Sequence, residues 1–288
     1  MSLRQHLRRT LPESVVRPLR RGETYARRLW IWKNICLQLR GVTARDRAAL
    51  RRSLLGAPMA AARSLDEWRD PLLLEDAEVE VRGVGRFHAR ARTDDLWHVL
   101  PAREAVIVKA IRERLRPGDT FVDAGANIGF YTVMAAHLVG PRGRVIAFEM
   151  MPDTAAILRR HVEMNGLTNV TVVEQALSER AGEAVEAHVV DGKFGQASLS
   201  SDKGGRSISV ATTTLDLALS DVSSVRLMKM DIEGAEERAL RGAEQALGRI
   251  ENLVFESWDL STAVDDLLAT RGFAVRALDG RNRLATRD

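Results

Sequence analysis

The sequence predicts an α/β protein built on an open parallel sheet with helices on both faces, preceded by an N-terminal helical extension. Three observations carry that prediction. Five short apolar runs, at 120–124, 144–149, 170–175, 225–231 and 253–256, alternate with helical patterns near 129–139, 153–165, 233–247 and 260–271. Each parallel crossover needs a helix, and strands covered on both faces read as continuous apolar runs. A glycine turn follows the first run, the place where open parallel sheets bind ligands. With 288 residues, 45% apolar and 28% charged, the chain is long enough for one substantial core and an appendage.

Residues 1–75 form the extension. Tyr25, Leu29, Trp32, Cys36 and Leu39 recur at spacings of four and three, which predicts one face of a helix, widened by Trp30, Ile31, Ile35 and Leu37. Such a face is expected to dock on the body or on a second subunit, or to lie on a membrane surface. Residues 1–56 hold fourteen Lys or Arg against three acids, a surplus of eleven, so a net charge of +4 for the whole chain leaves −7 for the rest. A basic arm on an acidic body suits an anionic surface or the body itself. Cys36 is the only cysteine. It excludes an internal disulfide and a cysteine-built metal site, and reads as a small buried apolar residue. No run approaches the ~18 apolar residues of a membrane span, and no apolar signal core follows the basic start. A soluble, cytoplasmic protein is the expectation.

The second region, 76–288, opens with alternation in Val79, Val81, Val84, Phe87 and Ala89. It predicts a hairpin over 77–92 that turns near Gly83 and Gly85. A helix from Glu104 to about Leu115 is stopped by Pro117 and Gly118. The valines and the threonine run of 183–214 predict a β insertion before the fourth core strand.

Three constellations carry chemistry. The first is Phe121-Val-Asp123-Ala-Gly125-Ala-Asn127-Ile-Gly129, a buried strand entering a glycine turn and then a helix. Glycines let the backbone approach a ligand, and the helix N-terminus offers free N–H groups. The turn reads DxGxNxG rather than the GxGxxG of pyrophosphate sites. A carboxylate at Asp123 repels phosphate but can bind an amino group, which favours S-adenosylmethionine over NAD. The second is Glu149, which ends the next strand and is placed to accept hydrogen bonds from ribose hydroxyls. Gln175, after the third strand, is placed to meet an adenine edge or is an ordinary loop residue. The third is Lys229-Met-Asp231-Ile-Glu233-Gly-Ala-Glu236, where the fourth strand ends in acids beside the same sheet edge.

From about Asp95 to Glu256 these residues resemble the FkbM-type S-adenosylmethionine-dependent methyltransferases. The motifs are FVDAGANIGFYT, VIAFE, Asn165, TTTLD, MKMDIEGAE and Gly242-Ala243. DxGxNxG followed by KxDxEGxE is far more specific than either alone. The resemblance implies a Rossmann-like class I methyltransferase sheet, with Asp123, Gly125, Asn127 and Gly129 around the methionine moiety and Glu149 at the ribose. It implies O-methylation of a sugar, polyketide alcohol or other small or lipid-linked product. Met150 and Met151 stand where the family often has proline after the glutamate.

An alcohol acceptor is a poor nucleophile until its proton leaves, so a base or a divalent ion is needed. Asp231 is the first candidate for the base or an acceptor-orienting group. Glu256, ending the fifth strand, is placed to share the site, and Lys229 to hold Asp231 ionised or bind an acidic substrate. Asp231 and Glu256 could ligate magnesium, but two carboxylates do not define a cage. The histidines lack metal spacing. His98, ahead of the core, is the one placed to reach an acceptor pocket from a lid. A nucleic-acid methyltransferase is the competing reading, motivated by the basic arm. The acidic fourth-strand tip lacks an aromatic and would receive base and phosphate poorly, so no nucleic-acid partner is expected. A noncatalytic nucleoside-binding assembly protein is the third reading.

Overall fold

The computed structural model describes residues 13–63, 72–189, 206–257 and 262–287. Helix α1, Glu13–Gln38, runs directly into strand β1, Leu39–Gly41, and helix α2, Ala44–Arg63, follows. Thr43 and Asp46 close the entry to α2 by exchanging hydrogen bonds: the Thr43 N–H donates to Asp46 Oδ2 at 2.8 Å and the Asp46 N–H to Thr43 Oγ1 at 3.2 Å. The predicted hairpin is β2, Ala77–Val81, and β3, Gly85–Ala89. β1 pairs antiparallel with β2, so extension and hairpin share one three-stranded sheet.

The buried face of α1 differs from the predicted one. Arg28, Ile31, Trp32, Ile35 and Leu39 are buried, whereas Leu29, Trp30 and Leu37 are exposed. Cys36 is likewise exposed, not buried. Apolar residues fill four consecutive positions from Leu29 to Trp32 and so offer two stripes. The stripe that is buried continues into β1, where Leu39 pairs with Val81.

Helix α3, Asp95–His98, a 3-10 turn, Pro101–Glu104, and helix α4, Ala105–Arg114, lead to the main sheet. There follow β4, Thr120–Ala124; α5, Phe130–Val139; β5, Arg144–Phe148; α6, Pro152–Met164; and β6, Val170–Val173. Asn165 after α6 clasps the hairpin, accepting from the Arg86 N–H at 2.8 Å and donating to its carbonyl at 2.7 Å. The expected insertion is built from β7, Ala176–Leu177, β8, Ala184–Val189, and β9, Arg206–Thr213, with β8 and β9 antiparallel. Its glycine stretch at Gly204 and Gly205 lies outside the described residues. The chain continues through α7, Leu215–Ala218; β10, Leu227–Met230; α8, Glu236–Arg241; β11, Asn252–Glu256; α9, Ala263–Thr270; β12, Ala274–Ala277; and β13, Asn282–Thr286.

The seven-stranded sheet has the order β12-β13-β11-β10-β4-β5-β6. All five predicted strands are adjacent and parallel, and β13 enters antiparallel between β11 and β12. Apolar clusters cover both faces: α4, α5, the hairpin and α1 on one side, α7, α8 and α9 on the other. The helix expected over 233–247 is shorter. It stops at Gly242, whose backbone presses on the insertion: a Cβ there would stand 2.3 Å from the Ser178 carbonyl oxygen.

Candidate active site

The carboxyl ends of β4, β5, β10 and β11 meet at one edge of the sheet. Gly125, after β4, has φ +78°, and a Cβ on it would stand 1.8 Å from the Asp231 carbonyl oxygen. The glycine thus makes room for the β10 loop, and the two acid-bearing motifs are in backbone contact. Gly129 has φ +89° and leaves space for α6, since its Cβ would come within 2.2 Å of Leu158 Cδ1. The three non-glycine residues with positive φ among the described residues are Arg92 (58°), Asn127 (50°) and Glu233 (53°). Asn127 and Glu233 lie in the loops after β4 and β10 at this edge, where backbone strain commonly collects at working sites.

Asp123 is fully buried. Its Oδ2 accepts from Thr132 Oγ1 at 2.6 Å, while Oδ1 has no hydrogen-bond partner. Lys229 Nζ stands 3.8 Å from Asp123 and 3.6 Å from Asp231, and donates to the Gly125 carbonyl at 2.9 Å. Burial works against the lysine charge, yet Asp231 and Asp123 outweigh it and raise the pKa. Burial pushes the Asp123 carboxyl up despite Lys229.

At the tip of β5, Glu149 Oε2 accepts the Asn127 N–H and Oε1 the Met151 N–H, each at 2.9 Å. Burial pushes its pKa up to about 7 against those two donors. Burial also opposes the charge of Asp231, but Lys229 and Arg103 hold that carboxyl below its ordinary value. Glu256 hydrogen-bonds Asp231, and burial together with the Asp231 charge pushes it to about 8. Near neutrality Glu256 therefore carries a proton that it donates to Asp231. Gln175 is half-buried just past β6. It joins none of these contacts.

A third segment, 92–104, closes the site. Asp94 Oδ2 lies 3.1 Å from His98 Nε2. Arg103 Nη1 and Asn127 Nδ2 both face His98 Nδ1, the latter at 3.2 Å. Guanidinium and amide nitrogens only donate, so Nδ1 holds the lone pair and Nε2 the proton, which goes to Asp94. Burial works against the Asp94 charge, but the His98 hydrogen bond holds its pKa low. Tyr131 donates to Glu104 Oε2 at 2.6 Å, and Lys229 Nζ sits 5.4 Å from the centre of the Tyr131 ring. Sequence reasoning singled out His98 but missed Asp94, Arg103, Glu104 and Tyr131. Tyr131 lies within the FVDAGANIGFYT motif without a role assigned to it, the other three belong to no recurring pattern, and only the fold brings the four to the edge. Among the described residues no three His, Cys, Asp or Glu side chains group as a metal site.

These residues fit a cofactor with an ammonium, a sulfonium and a ribose. Buried Asp123 Oδ1 has Lys229 Nζ at 3.8 Å but no hydrogen-bond donor, so it can accept one from an ammonium, and the site's acids disfavour a pyrophosphate. Sheet order and site define the class: an S-adenosylmethionine-dependent methyltransferase of class I. The comparison with known proteins narrows it, because the Methyltransferase FkbM domain model matches residues 123–275. The chain belongs to the FkbM methyltransferase family. It is 28% identical over 197 residues to the 31-O-demethyl-FK506 methyltransferase FkbM of Streptomyces tacrolimicus, covering 57% of this chain and 75% of that one. Methyltransferase 1 of Beauveria bassiana is 27% identical over 186 residues, 55% and 74% of the two chains. The crystal structure of methyltransferase FkbM from Methylobacillus flagellatus is 20% identical, over 67% of this chain and 54% of that chain, with a TM-score of 0.40.

Proposed function

We propose that this methyltransferase modifies a hydroxyl of an uncharged, hydroxyl-rich acceptor: a sugar, a polyketide or another small or lipid-linked product. The observation that carries the reading is the Asp94–His98 pair, whose Nδ1 lone pair lies beside Asn127 of the cofactor turn. When bound, S-adenosylmethionine supplies an electrophilic methyl group. Asp123 and Glu149 hold its ammonium and ribose. The acceptor hydroxyl donates to His98 Nδ1, taking the place of the Arg103 or Asn127 donor, and His98 receives its proton while Asp94 stabilises the imidazolium. Asp231 orients the acceptor rather than serving as base, because Lys229 and Arg103 keep it a weak proton acceptor. Lys229 is spoken for by Gly125, Asp123 and Asp231, so it holds Asp231 ionised and leaves acidic substrates unserved.

Acceptor charge follows from the same inventory. Asp94, Glu104, Asp123 and Asp231 outnumber Lys229 and Arg103. Phosphorylated and carboxylated acceptors are repelled, nucleic acid among them.

The test is an acceptor screen with methyl-labelled cofactor over neutral sugars, hydroxylated macrolides, their phosphorylated forms and amines, with product linkage read by NMR. An O-methyl product from a neutral acceptor is expected, and an N-methyl product or turnover of phosphorylated acceptors alone would refute the reading. On that acceptor, His98→Gln is predicted to lower kcat by about 100- to 10,000-fold, the usual worth of a positioned base. Cofactor affinity should be unchanged. An unaltered kcat would return the base role to Asp231.

A further inference from the structure

The two sides of α1 are covered unequally. Ile31, Trp32 and Ile35 are packed into the core, at most 6% exposed, while Leu29 is 73%, Trp30 47% and Leu37 64% exposed. Positions 29, 33 and 37 lie one turn apart and Trp30 flanks them, so these residues form a single outward stripe opposite the buried one. Half of the six large apolar side chains exposed among the described residues are in this stripe. Exposed Lys33 stands within it and exposed Arg40 just beyond it. They belong to an arm with a surplus of eleven positive charges over residues 1–56.

We infer that this face of α1 docks on an anionic phospholipid surface. Leucines and a tryptophan flanked by basic side chains suit the boundary between headgroups and acyl chains, where apolar residues sink ~5–10 Å and each nearby Lys or Arg is attracted by anionic lipid. The helix lies on the surface rather than crossing it, since no described helix is long and apolar enough to span a membrane. A second copy would offer its own apolar stripe, but two-fold pairing of the stripes would set two arms with a surplus of eleven positive charges each side by side. The helix is also joined to the site: the Arg27 guanidinium lies 5.6 Å from the centre of the Trp97 ring, next to His98. Docking would therefore favour lipid-linked members of the acceptor class, a consequence that rests on the function proposed above, whereas docking itself does not.

The experiment uses the full chain, labelled at Cys36, the single and exposed cysteine beside the stripe, with an environment-sensitive fluorophore. Vesicles of equimolar phosphatidylcholine and phosphatidylglycerol should sediment the protein and blue-shift the label, and phosphatidylcholine alone should do neither. A Leu29→Glu, Trp30→Glu, Leu37→Glu variant should lose at least about tenfold in partitioning, since three apolar anchors become charges that anionic lipid repels, while keeping its melting temperature and S-adenosylhomocysteine affinity. Lys33→Glu should bind more weakly and be less sensitive to salt. Absence of binding by a monomer, or a lipid-free dimer that hides the label and that the triple variant dissolves, would overturn the proposal.

Discussion

Lys229, Asp231, Arg103 and Glu256 share too few protons and too little water to titrate independently. Lys229 and Arg103 keep Asp231 charged, and the charge of Asp231 in turn helps keep Glu256 protonated. Glu256, pushed to about 8, and Glu149, pushed to about 7, both start from an ordinary 4.5. Each binds its proton more tightly in the folded chain than in the unfolded one. Their stabilisation is thus complete below about 4.5 and is lost as pH rises through those two values. The thermal midpoint of the ligand-free protein is predicted to fall over that window. Glu256→Gln, whose amide still donates to Asp231, should flatten the upper part of the fall, and parallel curves for the two proteins would show that Glu256 holds no raised pKa. The acids at the strand tips were readable in the sequence because each ends an apolar run. The Asp94–His98–Arg103 cluster was not, because burial of its polar atoms arises only when segment 92–104 folds over the glycine turn.

At the scale of elements, contact between the β4 turn and the end of β10 organises the site. Gly125 and Gly182 have the same φ, +78°, yet a Cβ on Gly182 would meet nothing within 4 Å. Gly182→Ala should therefore report backbone strain alone, about 1 kcal/mol. Gly125→Ala adds a clash with the Asp231 carbonyl and is expected to cost about 2–4 kcal/mol in denaturant unfolding. Equal losses at the two positions would mean that the loops are not in contact. The parallel strands were legible because burial on both faces leaves uninterrupted apolar runs. β12 and β13 were not, because arginines at 276, 281, 283 and 287 break up their pattern and β12 is a largely exposed edge. For α1 the periodicity established a helix but not its buried side, which pairing of Leu39 with Val81 decided.

On the scale of the whole molecule, the basic N-terminal region meets the acidic remainder at β1, which pairs with β2 of the hairpin in one three-stranded sheet. The body's charge suits a cationic cofactor and repels a pyrophosphate. The most direct measurement is calorimetric titration of the purified protein with S-adenosylhomocysteine, with NAD as control, repeated on Glu149→Ala. One-to-one binding of S-adenosylhomocysteine and none of NAD is predicted. Affinity should fall about ten- to a hundredfold in the variant, as the loss of charge-assisted hydrogen bonds to a ribose requires. Equal affinity in the variant, or binding of NAD in place of S-adenosylhomocysteine, would contradict the assignment of this sheet edge as the cofactor site.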